Sequence, residues 1–188
     1  MHAAVTCRPD MAFSVGTLSR HLQHPSQIHV DAAERVFKYL RYTADLSLCY
    51  GRLRSAHTFY GTCDASHAAV NFRGVTGWHF NYCGGAISWK CSFQKLISHS
   101  STESELIALD EAARELVYLQ QLLKDFRVDV ELPTTIGQDN QSTIILGTSG
   151  HLNARTKHIA LRFLYVNDLV TEGAVCMPQA SAHDGNVL

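Results

Sequence analysis

An aspartate follows a short apolar run in the segment 60–66 (YGTCDAS), and the rest of the chain is organised around this segment. Two later segments, 100–106 (SSTESEL) and 138–142 (QDNQS), also set an acidic residue at the edge of an apolar element. The three acids are Asp64, Glu105 and Asp139. A carboxylate that leaves water is costly unless it is paired or bound to a cation. If the three elements are neighbours, their acids can share divalent metal ions.

The composition is that of a packed protein. Hydrophobic residues make up 46% of the 188 residues and charged residues 18%, which supports a buried core and is not the composition of a disordered chain. The formal net charge of −1 counts modestly against strong independent binding of nucleic acid, because proteins that bind it alone are usually basic. The six cysteines form no C-x-x-C pair, and the sequence has no signal peptide and no apolar run long enough for a bilayer. We therefore expect reduced thiols, an intracellular location without secretion, and no membrane contact.

The first half of the sequence predicts two helices followed by an antiparallel meander. Apolar residues at helical spacing predict helices over about 11–22 and 28–41, which form an apolar hairpin. A turn is expected at 71–74, and the glycines at 84–85 indicate a β-hairpin. Strands are expected at 46–50, at 57–63 with Asp64 at the end, at 77–83 and at 86–91.

The second half predicts helices alternating with strands. The expected elements are a helix from Ser101 or Thr102, a strand at 134–138 followed by Asp139, a helix at 140–146, a loop at 147–153, a helix at 155–170 and a strand at 174–177. Strands first and strand–helix units afterwards indicate an α/β protein, in the form of an α+β or mixed sheet. Ligands gather at the carboxyl ends of parallel strands. Acids that follow two neighbouring strands would therefore meet at one edge of the sheet.

Helical phase separates the two glutamates near the start of the long helix. Glu105 lies four residues before Leu109 on the apolar stripe and so points towards the core, whereas Glu103 lies nearer to solvent. Two alternatives without a metal remain open. Glu105 has the spacing of a capping box with Thr102, and Asp139 is a residue type suited to the N-cap of the helix that follows it.

Six short motifs then follow one another along the chain. They are RPD at 8–10, KYLRYT at 38–43, GGAISW at 84–89, STESE at 101–105, DNQS at 139–142 and RTKHI at 155–159. In this order they resemble copia-type retrotransposon polyproteins, at the end of the reverse transcriptase and in the ribonuclease H domain after it. The resemblance covers nearly the whole chain, and six ordered motifs are far more specific than any one of them.

The resemblance implies a ribonuclease H-like fold, with a five-stranded mixed sheet flanked by helices and preceded by the helical hairpin. It divides the chain into two parts. Residues 1–50 would be a helical remnant of the reverse transcriptase thumb or connection. Residues 51–188 would be a ribonuclease H-like domain that is truncated at its C-terminal end.

The resemblance also implies an activity for this piece of a Pol polyprotein. That family is a metal-dependent endonuclease, a hydrolase that cleaves the RNA strand of RNA–DNA hybrids with two Mg²⁺ ions, or with Mn²⁺ in their place. Its catalytic acids fall by position on Asp64, Glu105 and Asp139. Asp64 would bridge two ions about 4 Å apart, Glu105 would hold the leaving-group ion and Asp139 the water-activating ion. The implied partners are the RNA–DNA hybrid and the reverse transcriptase portion of the same polyprotein, in the cytoplasm, a virus-like particle or the nucleus.

Hybrid recognition would depend on the shape of the minor groove, on 2′-hydroxyl groups and on phosphates. Five basic residues are candidates for phosphate contacts, and each is also a typical surface charge. They are Arg73, Lys90, Lys95, Arg155 and Lys157.

Two departures from the family pattern bear on activity. The family often has Asp-Ala-Asp-Trp at the first site, and here Ser66 and His67 stand in the last two places. The fourth acid falls on Asn186, which is neutral and binds metal more weakly, so Asp184 or His183 would have to replace it. A second function therefore stays open: a catalytically inactive relic, or a nucleic-acid-binding module, that keeps the fold without the fourth ligand.

Other chemistries have weaker support. A zinc site could use Cys63 with His67, or His151 with His158, but neither pair has a matching second pair at structural-zinc spacing. The sequence contains no G-x-S-x-G elbow of a serine hydrolase. His158 belongs to one of the six motifs, and we expect it to cap a helix or to pack.

Overall fold

The computed structural model describes residues 2–51, 58–70, 73–149 and 160–178. The helices in these ranges are α1 (His2–Thr6), α2 (Ala12–Ser19), α3 (Gln27–Tyr42), α4 (Ser101–Asp125), α5 (Gln141–Ser149) and α6 (Ala160–Thr171), with a 3₁₀ turn at Pro9–Met11. The strands are β1 (Tyr60–Val70), β2 (Arg73–Tyr82), β3 (Gly85–Phe93), β4 (Thr134–Gly137) and β5 (Val175–Cys176).

The five strands form one mixed sheet in the order β3-β2-β1-β4-β5. The pairs β1–β2 and β2–β3 are antiparallel, whereas β1–β4 and β4–β5 are parallel. A three-stranded meander is thus extended by two strands that each follow a helix. This arrangement confirms the predicted ribonuclease H-like fold, with its five-stranded mixed sheet and flanking helices.

The long helix α4 packs on the middle of the sheet. It contacts β1 and β2, and α6 lies beside it. The stripe that helical spacing predicted is the buried one, since Leu109, Ala112 and Leu116 have no exposed surface. The fully buried core side chains of these elements and of β4 include Phe80, Leu106, Leu109, Leu116, Ile136, Phe163 and Val166.

A two-residue turn joins β2 to β3, as the paired glycines predicted. Its central residues are Cys83 and Gly84, with φ angles of 53° and 81°. Two successive positive φ angles are typical of a type I′ turn, whose twist matches that of the strands it connects. The turn therefore begins one residue before the position that the glycine pair indicated.

The prediction that the first strand ends at Asp64 is wrong, because β1 continues to Val70. Asp64 pairs with Gly77 of β2, and the antiparallel ladder continues beyond it. Backbone pairing with β2 therefore extends the strand through a segment whose polar residues predicted its end. On its other side β1 pairs with β4 only from Tyr60 to Thr62, which leaves Asp64 exposed just past the end of that pairing. Of the turn expected at 71–74, residues 73–74 belong to β2, and residues 71–72 lie outside the described ranges.

The segment 46–50 was predicted as a strand and has no regular secondary structure. The Tyr50 hydroxyl donates to the carbonyl of Ala86 at 2.7 Å instead, and the Gly51 amide donates to the carbonyl of Cys83 at 2.9 Å. A Cβ on Gly85 would lie 2.7 Å from the Tyr50 ring, so the glycine leaves room for this contact. Contacts with the β2–β3 hairpin replace strand pairing here.

The loop predicted from residue 147 is also corrected, because α5 continues past Gly147. A Cβ on this glycine would lie 2.7 Å from the terminal methyl group of Met177. The glycine thus serves close packing within a helix and does not end it. The helix predicted over 155–170 is described as Ala160–Thr171, and residues 155–159 lie outside the described ranges.

The N-terminal helices are joined by a polar network around Arg8, which is only 8% exposed. Its guanidinium donates to Asp10 at 2.8 Å and to the hydroxyl of Thr43 at 2.6 Å. The Tyr39 hydroxyl donates to the same Asp10 carboxylate at 2.8 Å. The motifs at 8–10 and 38–43 therefore hold the start of the chain against the end of α3.

These helices also contact the sheet. The Trp89 indole of β3 donates to the carbonyl of Ala4 at 2.8 Å, and α2 packs against both β3 and α3. The apolar stripe predicted for α3 is only partly covered: Val30 and Phe37 are exposed, at 43% and 71%, whereas Ala33, Val36 and Leu40 are half-buried. Among the helices that the structure describes, none has the length and apolar character needed to cross a membrane.

The close contact between β1 and β2 gives a test of the packing. Gly61 pairs with Phe80, and a Cβ on Gly61 would lie 2.3 Å from the fully buried Phe80 ring. We expect Gly61→Ala to lower the free energy of unfolding by about 1 to 3 kcal/mol, because the overpacked ring must move. Denaturant titration followed by circular dichroism measures this change.

Gly77→Ala in β2 is the matched control. The nearest atom to a Cβ there is the Asp64 carbonyl oxygen at 3.9 Å, so we expect a change within about 1 kcal/mol. Equal losses in the two variants would contradict the packing argument.

Candidate metal centre

The structure brings Asp64, Glu105 and Asp139 together. Asp64 lies in β1, Glu105 in the first turns of α4, and Asp139 two residues after β4. One carboxylate oxygen from each residue lies within 4.8 Å of the other two. Three segments that are far apart in the sequence thus form one acidic cluster.

The register of the parallel pair explains why the two aspartates meet. The β1–β4 pairing ends with Thr62 opposite Gly137. Two further residues in the same register reach Asp64 on one side and Asp139 on the other. Parallel strands in this register therefore deliver both side chains to the same edge of the sheet.

The capping alternative for Glu105 is wrong. The N-cap of α4 is Ser100, whose hydroxyl accepts a hydrogen bond from the Glu103 amide at 3.1 Å. The Glu103 carboxylate turns back and accepts from the His99 amide at 2.6 Å. This return contact also buries Glu103 to 7% exposure, so the prediction that it lies nearer to solvent is wrong.

The capping alternative for Asp139 is wrong as well. The Thr143 amide of α5 donates to the side-chain oxygen of Asn140 at 3.1 Å, which makes Asn140 the capping residue. The Asp139 carboxylate is exposed and lies beside the other two acids.

One residue of the cluster, Gln138, was not among the predicted site residues. It is 3% exposed, and its Nε2 donates to Oε2 of Glu105 at 3.2 Å. Its Oε1 accepts from the amide of Asp139 at 2.8 Å and from that of Asn140 at 3.3 Å. A polar residue at the inward position next to an acid was the available signal, because an inward amide must find partners.

Burial and the two neighbouring aspartates raise the pKa of Glu105. Burial, followed by the charge of Asp64, raises the pKa of Glu105 to about 7, and Asp139 adds to this while the Gln138 hydrogen bond opposes it. Burial, followed by the charge of Glu105, raises the pKa of the neighbouring Cys63 thiol. Within the described ranges, no Lys, Arg or His forms an ion pair with any of the three acids. Clustered oxygen donors without a protein cation fit a hard divalent cation.

The other predicted site residues are more scattered. Arg73 and Lys95 are exposed, and the Lys90 ammonium forms an ion pair with Glu111 at 2.7 Å. His67 forms hydrogen bonds through Nδ1 with the hydroxyls of Ser98 and Ser104. Among the described residues, His67 and Cys63 do not belong to a group of side chains that could hold a metal ion. The remaining candidates lie outside the described ranges: Arg155, Lys157, His151, His158, His183, Asp184 and Asn186.

The raised pKa of Glu105 predicts how stability depends on pH without metal. A carboxyl group whose pKa is higher in the folded state stabilises that state at low pH, and this contribution is lost as pH rises. In EDTA, we expect the free energy of unfolding to fall between about pH 4.5 and pH 7 by about 1 to 3 kcal/mol because of Glu105.

Glu105→Gln should remove this part of the pH dependence. Urea unfolding of both proteins at pH 5 and pH 8 measures it. The variant should be the more stable of the two at pH 8, and parallel losses in both proteins would contradict the assignment.

Comparisons with known proteins give the family. No family model matches the sequence. The chain is 33% identical over 184 residues to the retrovirus-related Pol polyprotein from transposon TNT 1-94 of Nicotiana tabacum, a match that covers 98% of this chain and 14% of that polyprotein. It is 30% identical over 179 residues to the corresponding polyprotein from transposon RE2 of Arabidopsis thaliana, covering 94% of this chain and 12% of the relative.

A similar solved structure is LC11-RNase H1, isolated from compost. It is 12% identical, has a TM-score of 0.48, and covers 67% of this chain and 86% of its own. The fold assignment rests on the strand order and pairing described above.

The chain spans only 12 to 14% of the length of these two polyproteins. The matches nevertheless extend over nearly all of its own sequence, and the predicted membership is confirmed. The chain belongs to the retrovirus-related Pol polyproteins of transposons and contains a ribonuclease H-like fold.

Proposed function

We propose that this segment of a Pol polyprotein is a ribonuclease H-type endonuclease that cleaves the RNA strand of RNA–DNA hybrids and depends on divalent metal. The observation that carries the proposal is the convergence of three carboxylate oxygens within 4.8 Å, each from a different element of the fold. The resemblance to copia-type polyproteins points to the same three residues independently. The copia subtype is part of the proposal.

The donor set favours Mg²⁺, with Mn²⁺ as a substitute. All three groups offer hard oxygen donors, and Mg²⁺ binds to a few carboxylates while keeping waters and contacting substrate phosphate. When bound, two such ions supply activation of a water molecule and stabilisation of the leaving 3′ oxygen.

The three acids differ in how exposed their side chains are. Asp64 and Asp139 are exposed just past the end of the β1–β4 pairing, where a substrate phosphate can approach them. Glu105 is 6% exposed. It belongs to α4, and its carboxyl group accepts a hydrogen bond from Gln138. Its pKa of about 7 means that a cation must displace a proton from it near neutral pH, so metal affinity should rise through this range.

The proposed substrate is the hybrid, recognised by its minor-groove shape, its 2′-hydroxyls and its phosphates. Arg73, at the start of β2, and Lys95 are exposed and are the stronger candidates among the described cations. Lys90 is the weaker one, since its ammonium is engaged by Glu111. With a formal net charge of −1, the chain has little general attraction for nucleic acid, so we propose that the reverse transcriptase portion of the polyprotein delivers the hybrid.

The division of the chain is proposed in the same way. Residues 1–50 are assigned to the end of the reverse transcriptase and residues 51–188 to the ribonuclease H-like domain. The contacts of α2 and Ala4 with β3 mean that the two parts share an interface. An intracellular location follows from the proposed substrate.

A second candidate function is a binding module without activity. It is favoured by Asn186, which stands where the family has its fourth acid. Such a module would bind the hybrid and leave it intact.

A cleavage assay on labelled RNA–DNA hybrid tests the proposal. The 188-residue chain should cut the RNA strand in Mg²⁺ or Mn²⁺ and not in EDTA. Asp64→Asn and Asp139→Asn should each reduce the rate on the order of 10²-fold or more, because each removes a charge that holds the cations.

Asp129→Asn, at an exposed acid outside the cluster, is the matched control and should keep the unaltered rate. Cleavage that survives Asp139→Asn would exclude the assigned site. Binding of the hybrid without cleavage by the unaltered chain would favour the inactive module.

A further inference from the structure

We propose that Gln138 is a positioning residue of the metal centre, whose side-chain amide fixes Glu105 relative to the turn that carries Asp139. The inference rests on the proposed function, since it concerns the same three acids. It assigns a role to a residue that contacts two of the acid-bearing segments and contributes no carboxylate.

The hydrogen bonds determine which way the amide faces. Two backbone N–H groups, those of Asp139 and Asn140, point at one end of the Gln138 side chain at 2.8 Å and 3.3 Å. Donors require an acceptor, so this end must be Oε1. Nε2 therefore faces Glu105, whose Oε2 accepts at 3.2 Å.

The bridge is short and buried. Gln138 is 3% exposed, so water does not compete freely for its partners. Nε2 also donates to Sγ of the buried Cys63 at 3.7 Å. Both ends of one rigid amide plane are thus occupied, and the distance between Glu105 and the Asp139 backbone is set by that plane.

The bridge matters because the acids repel one another. Without a cation, three carboxylates within 4.8 Å tend to separate, and the exposed Asp139 turn is the part with room to move. An amide that holds the buried acid and the exposed turn together keeps the cluster arranged before metal arrives. Groups that orient ligands in this way typically change metal affinity by about 10- to 100-fold when they are removed.

Gln138→Met tests the inference, because methionine has a similar length and offers neither the donor nor the acceptor. Mn²⁺ binding to the full chain is measured by calorimetry and by electron paramagnetic resonance, with no substrate present. We expect the affinity for Mn²⁺ to fall about 10-fold. The Mn²⁺ concentration for half-maximal hybrid cleavage should rise by a similar factor, while the rate at saturating Mn²⁺ changes little.

Gln120→Met is the matched control. Gln120 also bridges two groups through its amide, donating to the Thr134 hydroxyl at 3.0 Å and to the Ala174 carbonyl at 3.1 Å. It lies fifteen residues further along α4 than Glu105, or about 22 Å along the axis. Its loss should lower stability and leave Mn²⁺ affinity unchanged.

Gln138→Asn provides a second variant in case the methionine disturbs folding. It keeps the amide and shortens the side chain by one methylene, so it cannot reach both partners, and it should weaken Mn²⁺ binding as well. Unchanged affinity in either folded Gln138 variant would overturn the inference.

The outcomes separate this inference from the proposed function. If the chain binds Mn²⁺ in a way that Asp64→Asn abolishes but never cleaves the hybrid, the proposed nuclease activity is overturned. The effect of Gln138→Met on Mn²⁺ affinity would still test the positioning role. Cleavage that requires Asp64, together with equal Mn²⁺ affinity in Gln138→Met, would overturn the positioning role alone.

Discussion

The parallel pairing of β1 with β4 is the constraint on which the rest of this molecule depends. Only three residue pairs make it, from Tyr60 opposite Thr135 to Thr62 opposite Gly137. Side chains alternate between the two faces of a sheet, so a slip of one residue would turn one aspartate away from the other. The two-residue steps from Thr62 to Asp64 and from Gly137 to Asp139 therefore cannot change without separating the two aspartates.

The long helix α4 supplies the second half of this geometry. Its N-terminal turn is fixed by Ser100 and Glu103, and its apolar stripe is fixed by the core. Glu105 lies between these two anchors, which leaves its carboxylate little freedom. An acid with a pKa raised to about 7 is costly to hold in its charged form, and its retention in the core is understandable where a cation is bound there.

Much of the fold could be predicted from sequence, because the strongest signals were local. The helical spacing of Leu109 and Leu116 and the glycines of the β2–β3 turn each describe one element and its neighbours. The errors arose where a distant partner decides. Nothing in the sequence around Asp64 reveals that β2 pairs beyond it, and nothing near Gly147 reveals that Met177 packs against it.

The candidate site divides in the same manner. Three acids were found because a charge at the edge of an apolar run is visible in the sequence. Gln138 was missed because an inward amide indicates that partners are needed without revealing that they are Glu105 and the amides of Asp139 and Asn140. The capping alternatives could be decided only from the hydrogen bonds in the structure. By residue type, Thr102, Ser100, Asp139 and Asn140 are all acceptable N-caps.

The contacts between the N-terminal helices and β3 have a further consequence. β3 is an edge strand of the sheet, and an edge strand has unpaired backbone groups with which a strand of a second chain can pair. α2 lies against this strand, with Gly16 so near that a Cβ there would lie 3.7 Å from the Cys91 carbonyl oxygen. The N-terminal helices thus lie against a strand that would otherwise be open to pairing with a second chain, and their removal would uncover that strand while leaving the three acids in place.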